Sequence, residues 1–178
     1  AVNGMSYSMR AGKNANSAIL VQIPRSDFDQ GHPLDGFQFQ KKLEQLGYYE
    51  GFAAPAQNIK DYLKHTPSDK LVIPTSYPCS TIMKDMHAFF SDEVNIAMEE
   101  GMKQFAKKIH GWIENGIMVG LETRSSSPIK ILRNDNGCSF TIQGLYPCGE
   151  GAGYAGGIVS SAVDGIKQAE NYIAHLNR

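Results

Sequence analysis

GLYPCGEGAGYAGGIVSSAVDGI, from Gly144 to Ile166, joins the end of an apolar run, a glycine-rich turn and the start of a helix. Within nine residues the turn contains Gly149, Gly151, Gly153, Gly156 and Gly157. Glycine accepts positive φ angles and lets a backbone approach a ligand without an intervening Cβ. From Ile158 to Leu176 apolar residues recur at helical spacing, so the pattern predicts a helix whose N-terminus faces the turn.

The residues before the turn predict a buried strand, because the apolar run from Phe140 to Tyr146 is ended by Pro147. Exposed N–H groups and the helix dipole at Ile158 favour negative charge, and Glu150 places a carboxylate beside them. A nucleotide or flavin cofactor fits this arrangement. A glycine turn that only lets the last helix pack closely is the equally weighted alternative.

The glycine spacing excludes two common nucleotide-binding motifs. A Rossmann fingerprint needs G-x-G-x-x-G with an acidic residue about 20 positions later. The sequence GEGAG from Gly149 to Gly153 lacks the last glycine of that spacing, and too few residues follow for another strand. A Walker A loop needs G-K-S/T, which the sequence does not contain.

The segment nevertheless resembles a known family. With LETRSSSPIKILR, from Leu121 to Arg133, it resembles the C-terminal part of the uncharacterised bacterial FAD-dependent dehydrogenases. These are glutathione-reductase-like flavoproteins with a two-part FAD domain. Weaker similarity at VNGMSY from Val2, ANSAILV from Ala15 and APAQ from Ala54 extends the resemblance over most of the chain.

The resemblance implies a role for the turn in holding FAD. In such flavoproteins a segment ending in GE returns to the FAD domain after an inserted substrate-side domain. Its glutamate, here Glu150, would accept hydrogen bonds from the ribityl hydroxyls, and the helix start would direct N–H groups at the pyrimidine edge of the flavin. The implied cofactor-binding residues are Gly149, Glu150, Gly151, Gly156, Gly157 and Ile158.

Arg124 and Ser125 are weaker candidates for substrate binding. A guanidinium among hydroxyl groups can bind a carboxylate or a phosphate. A polar loop with a solvated arginine is the alternative, and the resemblance makes the two readings about equal. No catalytic residue can be assigned from the sequence, since no Ser/His/Asp grouping or G-x-S-x-G elbow is recognisable.

The expected fold class is α+β, with a small mixed or antiparallel sheet, several helices and a closing strand-turn-helix. Residues 1–121 would form the substrate-side domain and residues 122–178 the return to the FAD domain. Because no dinucleotide turn precedes Gly149, we expect a C-terminal portion of an FAD-dependent oxidoreductase that lacks the N-terminal half of its FAD site and is inactive alone. The alternative is a free-standing, non-redox module that binds a small anionic ligand at the glycine turn.

Composition narrows the class of protein. A formal net charge of -1 and scattered lysines and arginines give no case for nucleic acid or a membrane surface. No apolar run approaches the roughly 18 residues that a spanning helix needs. Three cysteines form no C-x-x-C pair, and the five histidines show no metal-ligand spacing, so no metal is expected. A reducing cytoplasm is the expected location.

Local patterns predict the remaining elements. Helices are expected around Phe39 to Leu46, from Pro55 to Leu63, from Ile82 to Phe90, and after an N-cap at Ser91. Strands are expected at Ala18–Ile23, Ile117–Glu122, Ile129–Arg133 and Phe140–Tyr146, with Asn134 to Gly137 as a hairpin turn.

Overall fold

The structure is a computed structural model and describes residues 8–177. The VNGMSY segment lies outside the described residues. The fold is α+β, as predicted, with a three-stranded mixed sheet. The helices are α1 (Asp35–Leu46), α2 (Ile59–Tyr62), α3 (Asp92–Ala106), α4 (Trp112–Asn115) and α5 (Ile158–Leu176). The strands are β1 (Ala54–Asn58), β2 (Thr81–Met83) and β3 (Ile117–Val119).

The chain divides into two compact units. One comprises Ala1–Pro24 and Gln40–Thr123, and the other comprises Arg25–Phe39 and Arg124–Arg178. The sheet belongs to the first unit, and α5 belongs to the second. None of the helices within residues 8–177 has the length and apolarity needed to cross a membrane.

The sheet of the first unit has the order β2-β1-β3. β1 runs parallel to β2, with Pro55 opposite Ile82, and antiparallel to β3, with Gln57 opposite Met118. All five residues of β1 are buried. The predicted helix beginning at Pro55 is therefore wrong, because a central strand occupies that segment and α2 begins only at Ile59.

The core of the first unit lies among α2, α3 and the segment after β2. Its buried apolar residues are Ile59, Tyr62, Met86, Phe89, Met98, Met102 and Leu121. Tyr62 is completely buried, and its hydroxyl donates to Asn95 Oδ1 at 2.8 Å, which satisfies a polar group that burial would otherwise penalise. Met98 and Met102 of α3 fill part of this core.

Two further predicted helices are confirmed, α1 and α3, and a third is wrong. α1 covers the expected segment and ends before Gly47. Ser91 caps α3, because its Oγ accepts from Val94 N. The helix expected over Ile82 to Phe90 is instead β2 followed by a 3-10 turn at Met86–Phe89.

The predicted strand at Ala18–Ile23 is wrong, whereas β3 forms within the predicted Ile117–Glu122 segment.

The second unit contains the predicted turn but not its strands. Gly137 has a φ of +83°, and its N–H donates to Asn134 O at 2.9 Å. Only an isolated bridge joins Arg133 to Ser139. The strands predicted at Ile129–Arg133 and Phe140–Tyr146 are wrong, and Phe140 and Ile142 are exposed rather than buried. Here apolar composition marks an irregular segment, not a ladder.

α5 forms as predicted, but its apolar stripe is not buried within this chain. Ile158 is 91% exposed, Ile166 61% and Leu176 63%. Ala162, expected on a buried face, is exposed too. The one buried residue of the described part of α5 is Gln168, a polar residue. With its amide turned to satisfy both neighbours, Gln168 donates to Gly137 O at 3.2 Å and accepts from Arg133 at 3.3 Å.

Candidate functional site

The glycine-rich turn is held at its first half by hydrogen bonds within the second unit. Gly149 has a φ of +70°, a conformation that favours glycine, and its N–H donates to Asp164 Oδ2 of α5 at 2.8 Å. Gly149 O accepts from Tyr154 N at 3.0 Å, and Glu150 O accepts from Gly153 N at 2.9 Å. These bonds fold residues 149–154 back on themselves, so the polar backbone of this half is largely used internally.

An ion pair fixes α5 beside that turn. Two nitrogens of Arg133 donate to the two carboxylate oxygens of Asp164 at 2.7 and 2.9 Å, and Arg133 also donates to Pro147 O at 2.7 Å. The side chains are only 16% and 14% exposed. The hydrogen bonds from Arg133 lower the pKa of Asp164 to about 2, against a smaller opposing effect of burial, and the Gly149 N–H lowers it further. The same bonds raise the pKa of Arg133.

Tyr154 completes the closed half of the turn. The Arg133 guanidinium carbon lies 3.6 Å from the centroid of its ring, a cation–π contact, and its hydroxyl donates to Ile131 O at 3.1 Å. Gly153 has a φ of +81°, and a Cβ there would overlap the carbonyl oxygen of Ile129. Gly153 is therefore required by the packing of the turn itself.

The second half of the turn is open. A Cβ on Gly156 would meet nothing within 4 Å, and one on Gly157 would meet only Ser160 Oγ at 3.4 Å. Ser160 Oγ accepts from Gly157 N at 3.2 Å and closes the helix start. A shallow depression of about 760 Å³ borders this end of α5, lined by Tyr154, Gly157, Ile158, Val159, Ser160, Val163, Asp164 and Lys167.

The other predicted residues of the site are all solvent-accessible. Glu150 is exposed at the edge of the turn, and Arg124 and Ser125 are exposed in the preceding loop. The Arg124 guanidinium lies 5.9 Å from the centroid of Phe37. Ser127, in the same loop, reaches the turn through a hydrogen bond to Gly151 O at 3.2 Å. The role of Arg124 in substrate binding is still a prediction.

Sequence reasoning missed a second polar cluster, which lies in the first unit. His65, His87 and Glu99 each present one side-chain ligand atom, and these atoms lie within 4.8 Å of one another. The two histidines are far apart in the sequence, but the path of the chain from α2 to α3 brings both rings to Glu99. No spacing rule finds this cluster, since 22 and 12 residues separate its members.

Glu99 is ionised within the cluster. Burial acts to raise its pKa, but hydrogen bonds from His87 and Lys103 outweigh it, and the pKa lies below its usual value. Burial raises the pKa of the neighbouring Tyr62 hydroxyl well above its usual value, with Glu99 and Asp85 adding to the shift, so Tyr62 remains neutral.

Comparison with known sequences assigns most of the chain to a family. Residues 1–125 match the family described as FAD-dependent protein, C-terminal domain-like. This chain belongs to that family. An uncharacterised protein of Clostridium beijerinckii (strain ATCC 51743 / NCIMB 8052) is 45% identical to this FAD-dependent C-terminal domain-like chain over 177 residues. The alignment covers 96% of this chain and 33% of the relative, so the chain spans about a third of that protein's length.

The open half of the turn fits one edge of a flavin. The first N–H groups of a helix have no partner inside it, and at the start of α5 they adjoin glycines where a Cβ would meet open space. Ile158 and Val159, 91% and 75% exposed, add an apolar surface beside those donors. Donors next to an apolar face suit a ring system with a polar edge. The closed half offers fewer hydrogen-bond donors to a cofactor, because the Gly149 N–H already donates to Asp164.

Proposed function

We propose that this chain supplies the substrate-side domain and the flavin-contacting C-terminal turn and helix of an FAD-dependent oxidoreductase located in the cytoplasm. The observation that carries the proposal is the family match over residues 1–125. The relative of about three times the length supports it, because additional chain could supply the ADP-binding half that this sequence lacks.

The chain's own residues would position the cofactor rather than react with it. Gly156 and Gly157 leave room for close approach, and the N–H groups at Ile158 face the place where negative charge would gather. Glu150, exposed beside them, would accept hydrogen bonds from the ribityl hydroxyls. Bound FAD would supply the hydride or electron chemistry. The Arg133–Asp164 pair would hold the turn in a fixed position beside the start of α5 during that chemistry.

Arg124 and Ser125 would bind an anionic group of the substrate. A guanidinium offers paired donors to a carboxylate or phosphate, and the adjacent hydroxyl adds one more. Both side chains are accessible to a ligand. This chemistry selects for a negatively charged group in the substrate.

The proposal is tested by comparing this chain with the full-length protein. We expect the purified full-length protein to show the visible absorption spectrum of bound oxidised flavin, and the 178-residue chain to lose added FAD during gel filtration. A colourless full-length protein that also fails to bind added FAD would contradict the proposal. Glu150→Ala should lower flavin occupancy in the full-length protein without unfolding it, with exposed Glu170→Ala as the matched control.

A further inference from the structure

A polar cluster in the first unit brings two imidazoles to one carboxylate oxygen. His65 Nε2 lies 3.0 Å from Glu99 Oε1, and His87 Nε2 lies 3.2 Å from the same atom. The two rings are stacked, with centroids 4.4 Å apart. Glu99 is 13% exposed and His87 16%, while His65 is 65% exposed and closes the cluster on its solvent side.

His87 is held with Nε2 directed into the cluster. Its Nδ1 lies 3.2 Å from Asp85 Oδ1, and its ring stacks on Tyr62 at 3.9 Å between centroids. Tyr62 is itself fixed by its bond to Asn95. A carboxylate that accepts from one imidazole nitrogen leaves the lone pair on the other, which is the usual arrangement behind a metal-bound histidine.

His65 reaches the cluster through an uncommon backbone conformation. Its φ is +53°, a left-handed value that few residues other than glycine adopt, although histidine is among those that do so more often. The conformation ends the turn after α2, where His65 N donates to Tyr62 O at 3.0 Å. It carries the imidazole over His87 and towards Glu99.

Each ring nitrogen of His87 faces a carboxylate oxygen, Nδ1 that of Asp85 and Nε2 that of Glu99. A metal ion at the centre of the cluster would bind Nε2, while Asp85 holds Nδ1 from behind. Lys103 Nζ, 3.1 Å from Glu99 Oε2, binds the other carboxylate oxygen and leaves Oε1 for the centre of the cluster. Among residues 8–177, the charged and titratable groups that these contacts place around the centre are Glu99, Asp85, Lys103, Tyr62 and the two histidines.

We propose that His65 Nε2, His87 Nε2 and Glu99 Oε1 bind one divalent transition-metal ion of the zinc class. Two imidazoles and a carboxylate are a common three-ligand set for such ions and leave a fourth position for water. Metal–ligand bonds of about 2.0–2.2 Å place tetrahedral ligand atoms about 3.4 Å apart, close to the 3.0 and 3.2 Å separations observed. The partly exposed His65 provides the entry side.

The first test is a calorimetric titration of metal-stripped protein with Zn²⁺. We expect about one ion per chain. Loss of a residue that only hydrogen-bonds a metal ligand typically weakens metal affinity by about tenfold or more. Loss of a ligand itself, in His65→Gly, should therefore weaken Zn²⁺ affinity by more than about tenfold. Glycine suits the left-handed φ at this position, so the variant keeps the backbone. His110→Gln, which removes an exposed histidine outside the cluster, is the control and should bind as the wild type does.

The second test examines the positioning residue. Asp85→Asn keeps an oxygen that can cap Met86–Phe89 but removes the charge behind His87. We expect Zn²⁺ affinity to fall about 10- to 100-fold with an unchanged circular dichroism spectrum. Unchanged affinity in both Asp85→Asn and His65→Gly would overturn the proposal, as would failure of the wild type to bind Zn²⁺.

A third measurement needs no variant. Co²⁺ bound to wild-type protein should show the visible bands of a four- or five-coordinate site with nitrogen and oxygen ligands. A strong thiolate-to-metal charge-transfer band would assign binding to the free cysteines Cys79, Cys138 or Cys148 and would contradict the proposal. A spectrum of hexa-aqua Co²⁺ would contradict it too. These readouts do not depend on FAD, so they succeed or fail separately from the flavin proposal.

Discussion

At the scale of single residues, Asp164 links the glycine turn, Arg133 and α5. We expect Asp164→Asn to lower the free energy of unfolding by about 1.5–3 kcal/mol, because charge-assisted hydrogen bonds to a largely buried guanidinium are weakened. Asp135→Asn, at the exposed hairpin turn, should change stability by less than about 0.5 kcal/mol. Urea unfolding of both variants measures the difference, and equal stabilities would show that the ion pair contributes nothing.

The lowered pKa of Asp164 gives this pair a defined pH dependence. Its pKa is about 2 in the folded protein, against an ordinary value of 3.8. The carboxylate therefore stabilises the fold fully above pH 3.8, and the contribution is lost as pH falls towards 2. We expect the stability gap between wild type and Asp164→Asn to shrink across that window. A gap that stays constant down to pH 2 would show that Asp164 is not the titrating group.

Substitution by alanine should destabilise the protein at one glycine of the turn and be tolerated at another. Gly153→Ala places a Cβ against Ile129 O and forces a left-handed φ on alanine, so we expect a loss of about 1–3 kcal/mol. Gly156→Ala meets open space and should be tolerated. Thermal unfolding compares them. Similar melting temperatures would mean that residues 149–154 relax without cost.

The sequence predicted the turn and its glycines but not what holds them. Glycine permits the positive φ angles that Gly149 and Gly153 adopt, but the sequence does not tell these two from Gly151, Gly156 and Gly157, which do not adopt them. The bond from Arg133 to Asp164 joins residues 31 positions apart, and the cluster at Glu99 joins three separate segments. Such contacts depend on the path of the chain through space. Local periodicity contains no information on that path.

At the scale of elements, the start of α5 allows a separation of binding from stability. In the full-length protein we expect Gly157→Val to reduce flavin content while the helical spectrum is retained, because a branched side chain would obstruct close approach. Ala162→Val adds similar bulk one turn later, where the side chain is exposed, and should change neither property by much. A Gly157→Val protein with full flavin content and a lower melting temperature would make the turn structural.

Helices were predicted more successfully than strands, for a physical reason. α1, α3 and α5 are long enough to show a period of 3.6 residues, and each forms. β1 was missed because Ala54, Pro55, Ala56, Gln57 and Asn58 include no β-branched or aromatic residue. Burial by its neighbours, which sequence pattern does not report, makes it the central strand. Conversely, the apolar run at Phe140 to Tyr146 lacks a ladder partner and forms no strand.

At the scale of the whole molecule, a substitution in the apolar stripe of α5 should affect the stability of the 178-residue chain and of a longer protein differently. Ile166 is 61% exposed here, so Ile166→Glu should leave the stability of the 178-residue chain within about 0.5 kcal/mol. If the rest of a longer protein covers this stripe, as the proposed function requires, the same change should cost about 2–5 kcal/mol there. Denaturant unfolding of both proteins checks this. Equal, small effects would mean that the stripe stays exposed.

The polar attachment of α5 has a calorimetric consequence. The helix is held mainly by the Arg133–Asp164 pair and by Gln168, its buried residue, with one ring contact between Tyr172 and Tyr146. Release of such a helix transfers little apolar surface to water, and it is apolar surface that gives unfolding its large positive heat capacity. The strength of the attachment should therefore vary only gently with temperature, while salt and acid, which act on charges, loosen it.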